Sequence, residues 1–152
     1  MKKIIVICIL LLTVISTNAQ QTNIDSATAK FIKEWSGVRY KLGGTTKNGI
    51  DCSGLNRKFY KSIFNFELPE ICAEQYKVTK RVNRDSLIPG DLVFFKSSRS
   101  PSGWHCGCYI GNDKFLHAPQ RNDYVRISSF KEGTYEIRFK SGGRLITRNS
   151  GE

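Results

Sequence analysis

Apolar residues recur at helical spacing in the first half of the chain. From Asp25 to Ser36 they fit one face of a helix, and Gly37 follows as a stop. A second helix is predicted from Ser53 to about Phe64, with basic residues turned outward. Pro69 then suits the first turn of a short helix that ends near Tyr76. The apolar positions of the second helix recur every four residues: Leu55, Phe59 and Ile63.

From residue 91 onward the pattern changes to short apolar segments separated by turn residues. Six such segments predict strands. They are "DLVFF" at 91–95, "HCGCYIG" at 105–111, "KFLHA" at 114–118, "YVRIS" at 124–128, "YEIRF" at 135–139 and "RLITR" at 144–148. Because the helices come first and the strands afterwards, we expect an α+β domain in which N-terminal helices pack on a C-terminal antiparallel sheet.

The first nineteen residues have the pattern of a secretory signal peptide. Two lysines precede the apolar run Ile4–Ile15, and small residues follow at 17–19. The run is short for a bilayer span, and Cys8 lies inside it rather than after a cleavage box, so neither a membrane anchor nor a lipoprotein is favoured. We expect residues 1–19 to be removed, leaving one domain of 133 residues (152 minus 19) that starts near Gln20 and is periplasmic or secreted.

The chain is strongly basic, with 24 Lys and Arg against 13 Asp and Glu, a formal charge of +11. Without the two lysines of the signal segment, 22 basic and 13 acidic residues leave a charge of +9. An exported protein with this balance is expected to meet anionic cell-wall polymers. The basic residues are scattered and form no RNA-binding pattern, so nucleic acid is not an expected partner. A generally basic, solvated surface is the alternative interpretation.

Four cysteines follow the signal segment: Cys52, Cys72, Cys106 and Cys108. In an exported protein they can form two disulfides in any of three pairings, although a domain of this size can fold without them. If Cys52 stays free for chemistry, at most one bridge remains. The alternative is that the other three are small core residues with incidental thiols.

Cys52 lies at the predicted start of the second helix, inside the segment "GIDCSGL". A thiol is a weak nucleophile until it loses its proton, and the partial positive charge of a helix N-terminus stabilises the thiolate. The loop before it ends in residues 49–51, and we expect its backbone amides to point into a cleft as oxyanion donors. Cys52 is therefore a candidate nucleophile that needs a base.

The chain contains two histidines, His105 and His117. His105 begins a predicted strand, and alternation puts Gly107 and Tyr109 on its face. An ordinary structural histidine is the alternative for each. The opposite face of that strand is predicted to be core and carries Cys106, Cys108 and Ile110.

The loop between the two histidine strands determines whether the rings meet. If residues 111–113 form a three-residue hairpin loop, Ile110 pairs with Lys114 and Gly107 falls opposite His117. Both histidines then share one face, as diagonal neighbours about 7 Å apart, with no side chain at Gly107 to obstruct them. A two-residue loop would instead turn His117 toward the core.

This arrangement favours nucleophilic catalysis over metal binding. We predict Cys52 as the nucleophile, His105 as the general base and His117 as the group that orients and polarises His105. The "HCGC" segment at 105–108 contains three potential zinc ligands, but alternation separates the histidine from the cysteines, and no second ligand cluster exists. No metal or other cofactor is expected.

Three segments, "GVRYKLGGTTKNGIDCSGL", "IPGDLVFF" and "HCGCYIGNDKFLHAP", together resemble the NlpC-type family of bacterial cell-wall cysteine peptidases. The resemblance implies a papain-like fold and hydrolysis of amide bonds in peptidoglycan stem peptides, commonly between D-glutamate and the diamino acid. It assigns the nucleophile to Cys52, the base to His105 and the third polar residue to His117. The resemblance also implies that Tyr40 lies beside the nucleophile, where its hydroxyl helps to hold the oxyanion, and that Asp51 and Ser53 contact the free amino end of the stem peptide.

Each of these three contacts also has a structural interpretation: Tyr40 as a packed loop aromatic, Ser53 as a helix cap and Asp51 as a favourable charge at a helix N-terminus. Asn56 and Arg57 stand where the family usually has an apolar residue, so the exposed face of that helix is expected to meet a partner particular to this protein. A catalytically silent wall-binding protein on the same fold, or an acyltransferase that uses the same cysteine, are the alternatives to a hydrolase. An inhibitory partner cannot be identified from the sequence.

Overall fold

The computed structural model describes residues 25–145 of the chain. The predicted signal peptide at 1–19 lies outside these residues. None of the helices within 25–145 is long and apolar enough to cross a membrane.

The helices precede most of the strands, as the periodicity predicts. Helix α1 covers residues 25–35, and the other helices are α2 (Cys52–Phe64), α3 (Cys72–Lys77) and α4 (Tyr135–Arg138), with a 3-10 turn at Arg84–Ser86. Asp51 caps α2, and the helix ends at Asn65, which has φ 50°. The short helix α3 begins at Cys72 rather than at Pro69, so that predicted start is wrong. Its first turn is closed by Ile71, whose carbonyl accepts the Glu74 and Gln75 amides.

A six-stranded antiparallel sheet forms the rest of the domain, with strand order β3-β8-β4-β5-β6-β7. A separate two-stranded ribbon, β1 with β2, precedes α2. The predicted strands at 91–95, 105–111, 114–118 and 124–128 are confirmed within two residues at each end. The bounds are β1 (Thr45–Thr46), β2 (Gly49–Ile50), β3 (Lys80–Val82), β4 (Leu92–Lys96), β5 (Trp104–Gly111), β6 (Lys114–His117), β7 (Arg126–Ser129) and β8 (Phe139–Arg144). The α+β prediction is confirmed.

The predicted strand at 135–139 is wrong, because most of that segment is the helical turn α4. Alternation put Tyr135 and Ile137 on the same face of the predicted strand, but the two side chains are not buried together. Tyr135 packs against the rings of Phe95 and Phe115, whereas Ile137 is 86% exposed. Strand β8, the last within residues 25–145, was not predicted because it contains two glycines, which are typical of turns.

Those glycines in β8 are required by close packing. A Cβ on Gly143 would lie 2.6 Å from the Phe94 ring, and one on Gly142 would lie 2.5 Å from Leu87. Of the predicted strand at 144–148, Arg144 ends β8 and residues 146–148 lie outside the described chain.

Both faces of the sheet are covered by apolar side chains. One face packs against α1, α2 and α3, with Phe31, Leu55, Phe59, Leu92 and Phe94 among its buried residues. Cys106 and Cys108 lie on this face, as predicted. The opposite face carries a smaller aromatic cluster, which contains Val93, Phe95, Phe115 and Phe130 and packs against Tyr109, Tyr135 and Phe139.

The β5–β6 hairpin has a two-residue loop, Asn112–Asp113, whose φ angles are 52° and 58°. Gly111 pairs with Lys114, so the predicted three-residue loop is wrong. A register shift between Tyr109 and Gly111 inserts one extra residue, and beyond it Cys108 pairs with Leu116. The bulge therefore restores the register that a two-residue loop alone would have changed, and both histidines lie on the same face.

All four cysteines of the described chain are free thiols, so neither disulfide is formed. Asn56 is fully buried, and the expectation that it meets a partner on an exposed helix face is wrong. Its Nδ2 donates to Gln75 Oε1 over 3.1 Å, and its Oδ1 accepts from the Cys108 thiol over 3.2 Å. Gln75 Nε2 in turn donates to the carbonyls of Ser53 and Pro69. This network joins α2, α3, β5 and the segment that leads into α3.

Replacing Gln75 with alanine should lower the free energy of unfolding by about 2 to 4 kcal/mol, because the buried Asn56 amide would lose its acceptor and the Ser53 and Pro69 carbonyls would each lose a donor. Chemical denaturation measures the change. Glu74→Ala is the matched control, since it removes only a surface ion pair with Lys77. Equal losses for the two variants would contradict the structural importance of the network.

Candidate active site

Cys52 is the first residue of α2, and the preceding loop fixes its position. Asp51 Oδ1 accepts the Gly54 amide over 2.7 Å, and Oδ2 accepts the Gly43 amide over 2.8 Å. A Cβ on Gly54 would lie 2.5 Å from the carbonyl oxygen of Gly44, so the loop passes directly over the first helical turn. The Asp51 carboxylate thus ties the loop to the helix end that carries the thiol.

The surroundings of Cys52 stabilise its thiolate. Hydrogen bonding from the Cys106 thiol contributes most to lowering the pKa of Cys52. Burial opposes that effect, and hydrogen bonding and charge from His105 lower the pKa further, to well below the usual thiol range. Burial instead raises the pKa of Cys106 and of Cys108 well above that range. Of these three thiols, Cys52 alone has its pKa lowered.

A buried hydrogen-bond chain runs from His105 away from Cys52. His105 Nε2 lies 2.8 Å from His117 Nδ1, and His117 Nε2 lies 3.0 Å from Ser128 Oγ. Burial lowers the pKa of His117 well below its usual range, and the charges of His105 and Arg126 lower it further, so this ring is neutral. With its single proton on Nε2, His117 donates to Ser128 and accepts from His105 at Nδ1. The structure thus brings Cys52, His105 and His117 together.

Ser128, Tyr135 and Arg126 were not predicted as site residues. Burial raises the pKa of Tyr135, and interactions with Arg126 and Ser128 oppose this rise. The sequence did contain one signal, because alternation along the predicted strand at 124–128 puts Arg126 and Ser128 on the same face. Finding the contact with His117 also required the pairing of β6 with β7.

Aromatic rings enclose the two histidines. The Phe95 ring centroid lies 5.9 Å from that of His105, and Phe115 and Tyr135 lie 4.8 and 5.3 Å from His117. These contacts restrict the rotation of both imidazoles and exclude water from the hydrogen bond between them.

Tyr40 lies beside Cys52 in an open cleft of about 130 Å³ that His105 also lines. Burial raises the pKa of Tyr40 to about 12, with smaller contributions from the charges of Cys52 and Asp51. The phenol therefore keeps its proton at neutral pH and can donate a hydrogen bond into the cleft.

The loop amides expected to serve as oxyanion donors are already used. The amide of Ile50 donates to the Arg39 carbonyl over 3.1 Å, and that of Asp51 donates to the Gly44 carbonyl over 3.2 Å. Across residues 25–145, the first backbone N–H without an acceptor after this loop is that of Cys52 itself, at the start of α2. The prediction of free loop amides at residues 49–51 is therefore wrong for Ile50 and Asp51.

Asp51 and Ser53 are joined to each other, with Ser53 Oγ donating to Asp51 Oδ1 over 3.0 Å. Both belong to the cap of α2, and neither lines the cleft that contains Cys52. Their contact with the amino end of a substrate stays a prediction. No group of three or more metal-ligating side chains is clustered in the part of the chain that the structure describes.

The NlpC/P60 family model matches residues 37–144 of this chain. The murein DD-endopeptidase MepS/murein LD-carboxypeptidase of Escherichia coli K12 is 41% identical over 116 residues, which cover 76% of this chain and 60% of that protein. A probable endopeptidase NlpC homolog of Haemophilus influenzae is 39% identical over 122 residues, which cover 80% and 63%. The chain spans about three-fifths of the length of these relatives.

Solved structures show the same fold. An NlpC/P60 family protein from Bacillus cereus aligns with a TM-score of 0.71 at 26% identity, over 80% of this chain and 40% of that one. The peptidoglycan hydrolase RipB of Mycobacterium tuberculosis aligns with a TM-score of 0.66 at 24% identity, over 84% and 67%. The resemblance inferred from three sequence segments is confirmed: this chain has a papain-like fold and belongs to the NlpC/P60 family.

Proposed function

We propose that this chain is an exported peptidoglycan hydrolase that cleaves an amide bond of a stem peptide, with Cys52, His105 and His117 as its catalytic groups. The observation that carries the proposal is the hydrogen-bonded pair of His105 and His117, continued to Ser128, beside a Cys52 thiol whose pKa is lowered by Cys106 and His105. Family membership and the names of the relatives, which include murein endopeptidases, support the substrate class.

In the proposed reaction, His105 holds the proton of the Cys52 thiol, and the thiolate attacks the scissile carbonyl carbon. The carbonyl oxygen gains negative charge and accepts hydrogen bonds from the Cys52 amide and the Tyr40 hydroxyl. His105 then gives its proton to the leaving amine as the C–N bond breaks, which leaves a thioester on Cys52. Water, deprotonated by His105, hydrolyses the thioester and restores the thiol.

The neutral His117 assists this cycle through its contact with His105, on the side of that ring away from Cys52. When His105 carries the proton, its Nε2–H points at the Nδ1 lone pair of His117, which stabilises the imidazolium in the correct orientation. Ser128 keeps the His117 proton on the opposite nitrogen, so that this lone pair is available.

Two scissile bonds compete within this proposal. The family resemblance indicates the bond between D-glutamate and the diamino acid. The names of the Escherichia coli relatives MepS and MepH instead indicate a DD bond, and the MepS name adds an LD-carboxypeptidase activity. Export through residues 1–19 and action in the periplasm or outside the cell are further parts of the proposal. The basic surface suits retention near anionic wall polymers.

Iodoacetamide should alkylate Cys52 selectively at about pH 6.5, because a lowered pKa keeps the thiolate populated below the ordinary thiol pKa of about 8.5. Reactivity should fall only when the pH drops through the lowered pKa. Peptide mass spectrometry over a pH series measures it. His105→Gln is the comparison variant, and its labelling should require a higher pH. A wild-type rate that rises only near pH 8.5 would contradict the proposed activation.

Cys52→Ala should abolish the release of peptide fragments from purified peptidoglycan, with a loss of about a thousandfold or more in rate. Cys72→Ala is the control, since Cys72 is also buried but does not line the cleft. Product masses distinguish hydrolysis from transfer of the acyl group to an amine. If the wild-type protein sediments with cell walls but releases nothing, the silent wall-binding alternative holds instead.

Ser128→Ala should lower kcat by about tenfold and leave KM unchanged, because His117 loses the acceptor that fixes its tautomer. The rate of Cys52 alkylation at neutral pH should fall in parallel. Ser129→Ala is the neighbouring control, since the Ser129 hydroxyl accepts the Lys131 amide and not a histidine. A change confined to stability, with kcat and alkylation at wild-type values, would show that Ser128 is merely structural.

A further inference from the structure

The cleft at Cys52 continues past His105 into a second cavity of about 250 Å³, here named the His105-side cavity. The two spaces share Ser97, Arg99, His105, Pro119 and Gln120, but Cys52 and Tyr40 line only the first. Helix α4 and strand β7 form the far wall of the second, through Tyr135, Arg138 and Arg126. Its volume is just below the range of about 300 to 1,000 Å³ for drug-sized ligands and suits a single amino-acid residue.

Positive charge predominates in this cavity. Lys96, Arg99, Arg126 and Arg138 line it, against the two carboxylates of Asp123 and Glu132. The resulting excess of two positive charges favours an anionic ligand group.

Most of these cations already have partners. Lys96 lies over the Trp104 ring, and Arg99 donates to Gln120 over 2.7 Å. Arg126 lies 3.5 Å from Asp123. Arg138 differs, because within residues 25–145 no carboxylate lies within 4.0 Å of its guanidinium. It is half-buried in the wall of the cavity and free to bind a carboxylate in a bidentate manner.

The reaction determines which part of the substrate reaches this cavity. The acyl part stays bonded to Cys52, so it occupies the cleft that Cys52 lines. The leaving amine takes its proton from His105 and must lie within hydrogen-bond distance of that ring. A space that His105 lines and Cys52 does not is therefore on the side of the leaving residue.

We propose that the His105-side cavity binds the carboxylate of the leaving residue, with Arg138 as its main partner and Arg126 as the second. This inference rests on the proposed function of the site. The leaving residue is then an amino acid whose own carboxyl is free, next to the amine that is released. Both groups lie close together in the product, and both can be held within one cavity of this size.

The proposal discriminates between the competing bonds. A DD cross-link and a terminal LD bond each release a residue whose carboxyl, adjacent to the new amine, is free. Cleavage between D-glutamate and the diamino acid of a longer stem releases a residue whose adjacent carboxyl is still in an amide bond. Arg138 therefore favours the DD and LD bonds over the bond indicated by the family resemblance alone.

The first test compares a stem-peptide substrate that carries a free carboxyl on the leaving residue with the same substrate amidated there. Wild-type kcat/KM should be about tenfold higher or more for the free acid, the size expected of one charge-assisted hydrogen bond at a half-buried site. Arg138→Gln should bring the ratio close to one, and Arg138→Lys should restore part of it. Lys140→Gln, which removes an exposed cation nearby, should keep the wild-type ratio. Equal rates of wild type on both substrates would overturn the proposal.

A second test separates this proposal from the proposed function. D-Alanine and D-alaninamide are titrated by NMR into the Cys52→Ala protein, which cannot turn over. D-Alanine should shift the resonances of Arg138 and its neighbours, whereas D-alaninamide should not. After the additional change Arg138→Gln, D-alanine should no longer shift the neighbouring resonances. If no substrate is cleaved but this binding is seen, the proposed function fails and the carboxylate site stands. If substrate is cleaved but the two probes behave alike, the carboxylate site fails alone.

Discussion

The 2.8 Å contact between His105 and His117 places a strict requirement on the sheet, because two rings on neighbouring strands must share one face. A two-residue hairpin loop would by itself give the wrong register, and the bulge between Tyr109 and Gly111 corrects it. Gly107 leaves the space that the rings need, since a Cβ there would lie 3.1 Å from that of His117. The site thus depends on one extra residue and one missing side chain.

Cys52 reaches this histidine pair from the other layer of the domain. The Asp51 cap fixes the helix start, and the buried amides of Asn56 and Gln75 hold α2 against β5. Burial alone would keep the thiol protonated, as it does for Cys106 and Cys108. Hydrogen bonds from Cys106 and His105 outweigh that cost at Cys52, so its position, and not its residue type, produces the thiolate.

The thiols of Cys106 and Cys108 have polar partners within the core. Their thiols contact Gln75 Oε1 and Asn56 Oδ1, at 3.8 and 3.2 Å, so polar residues on the helices match weakly polar residues on β5. Asn56 and Cys108 therefore form one buried polar contact between α2 and β5, which the sequence alone did not suggest.

The sequence by itself determined the class of fold, the helix that carries Cys52 and the pairing of one thiol with two histidines, because these follow from periodicity and from the scarcity of histidine. The glycine-containing strand β8, the turn α4 and the bulge near Ile110 were decided by tertiary packing, which overrides local propensity. Ser128 and Arg138 also became visible only in three dimensions. Strand alternation put Ser128 on one face of β7 but did not identify its partner, and no local pattern singled out Arg138. Each acquires its role from a group on another element, His117 for Ser128 and the cavity beyond His105 for Arg138.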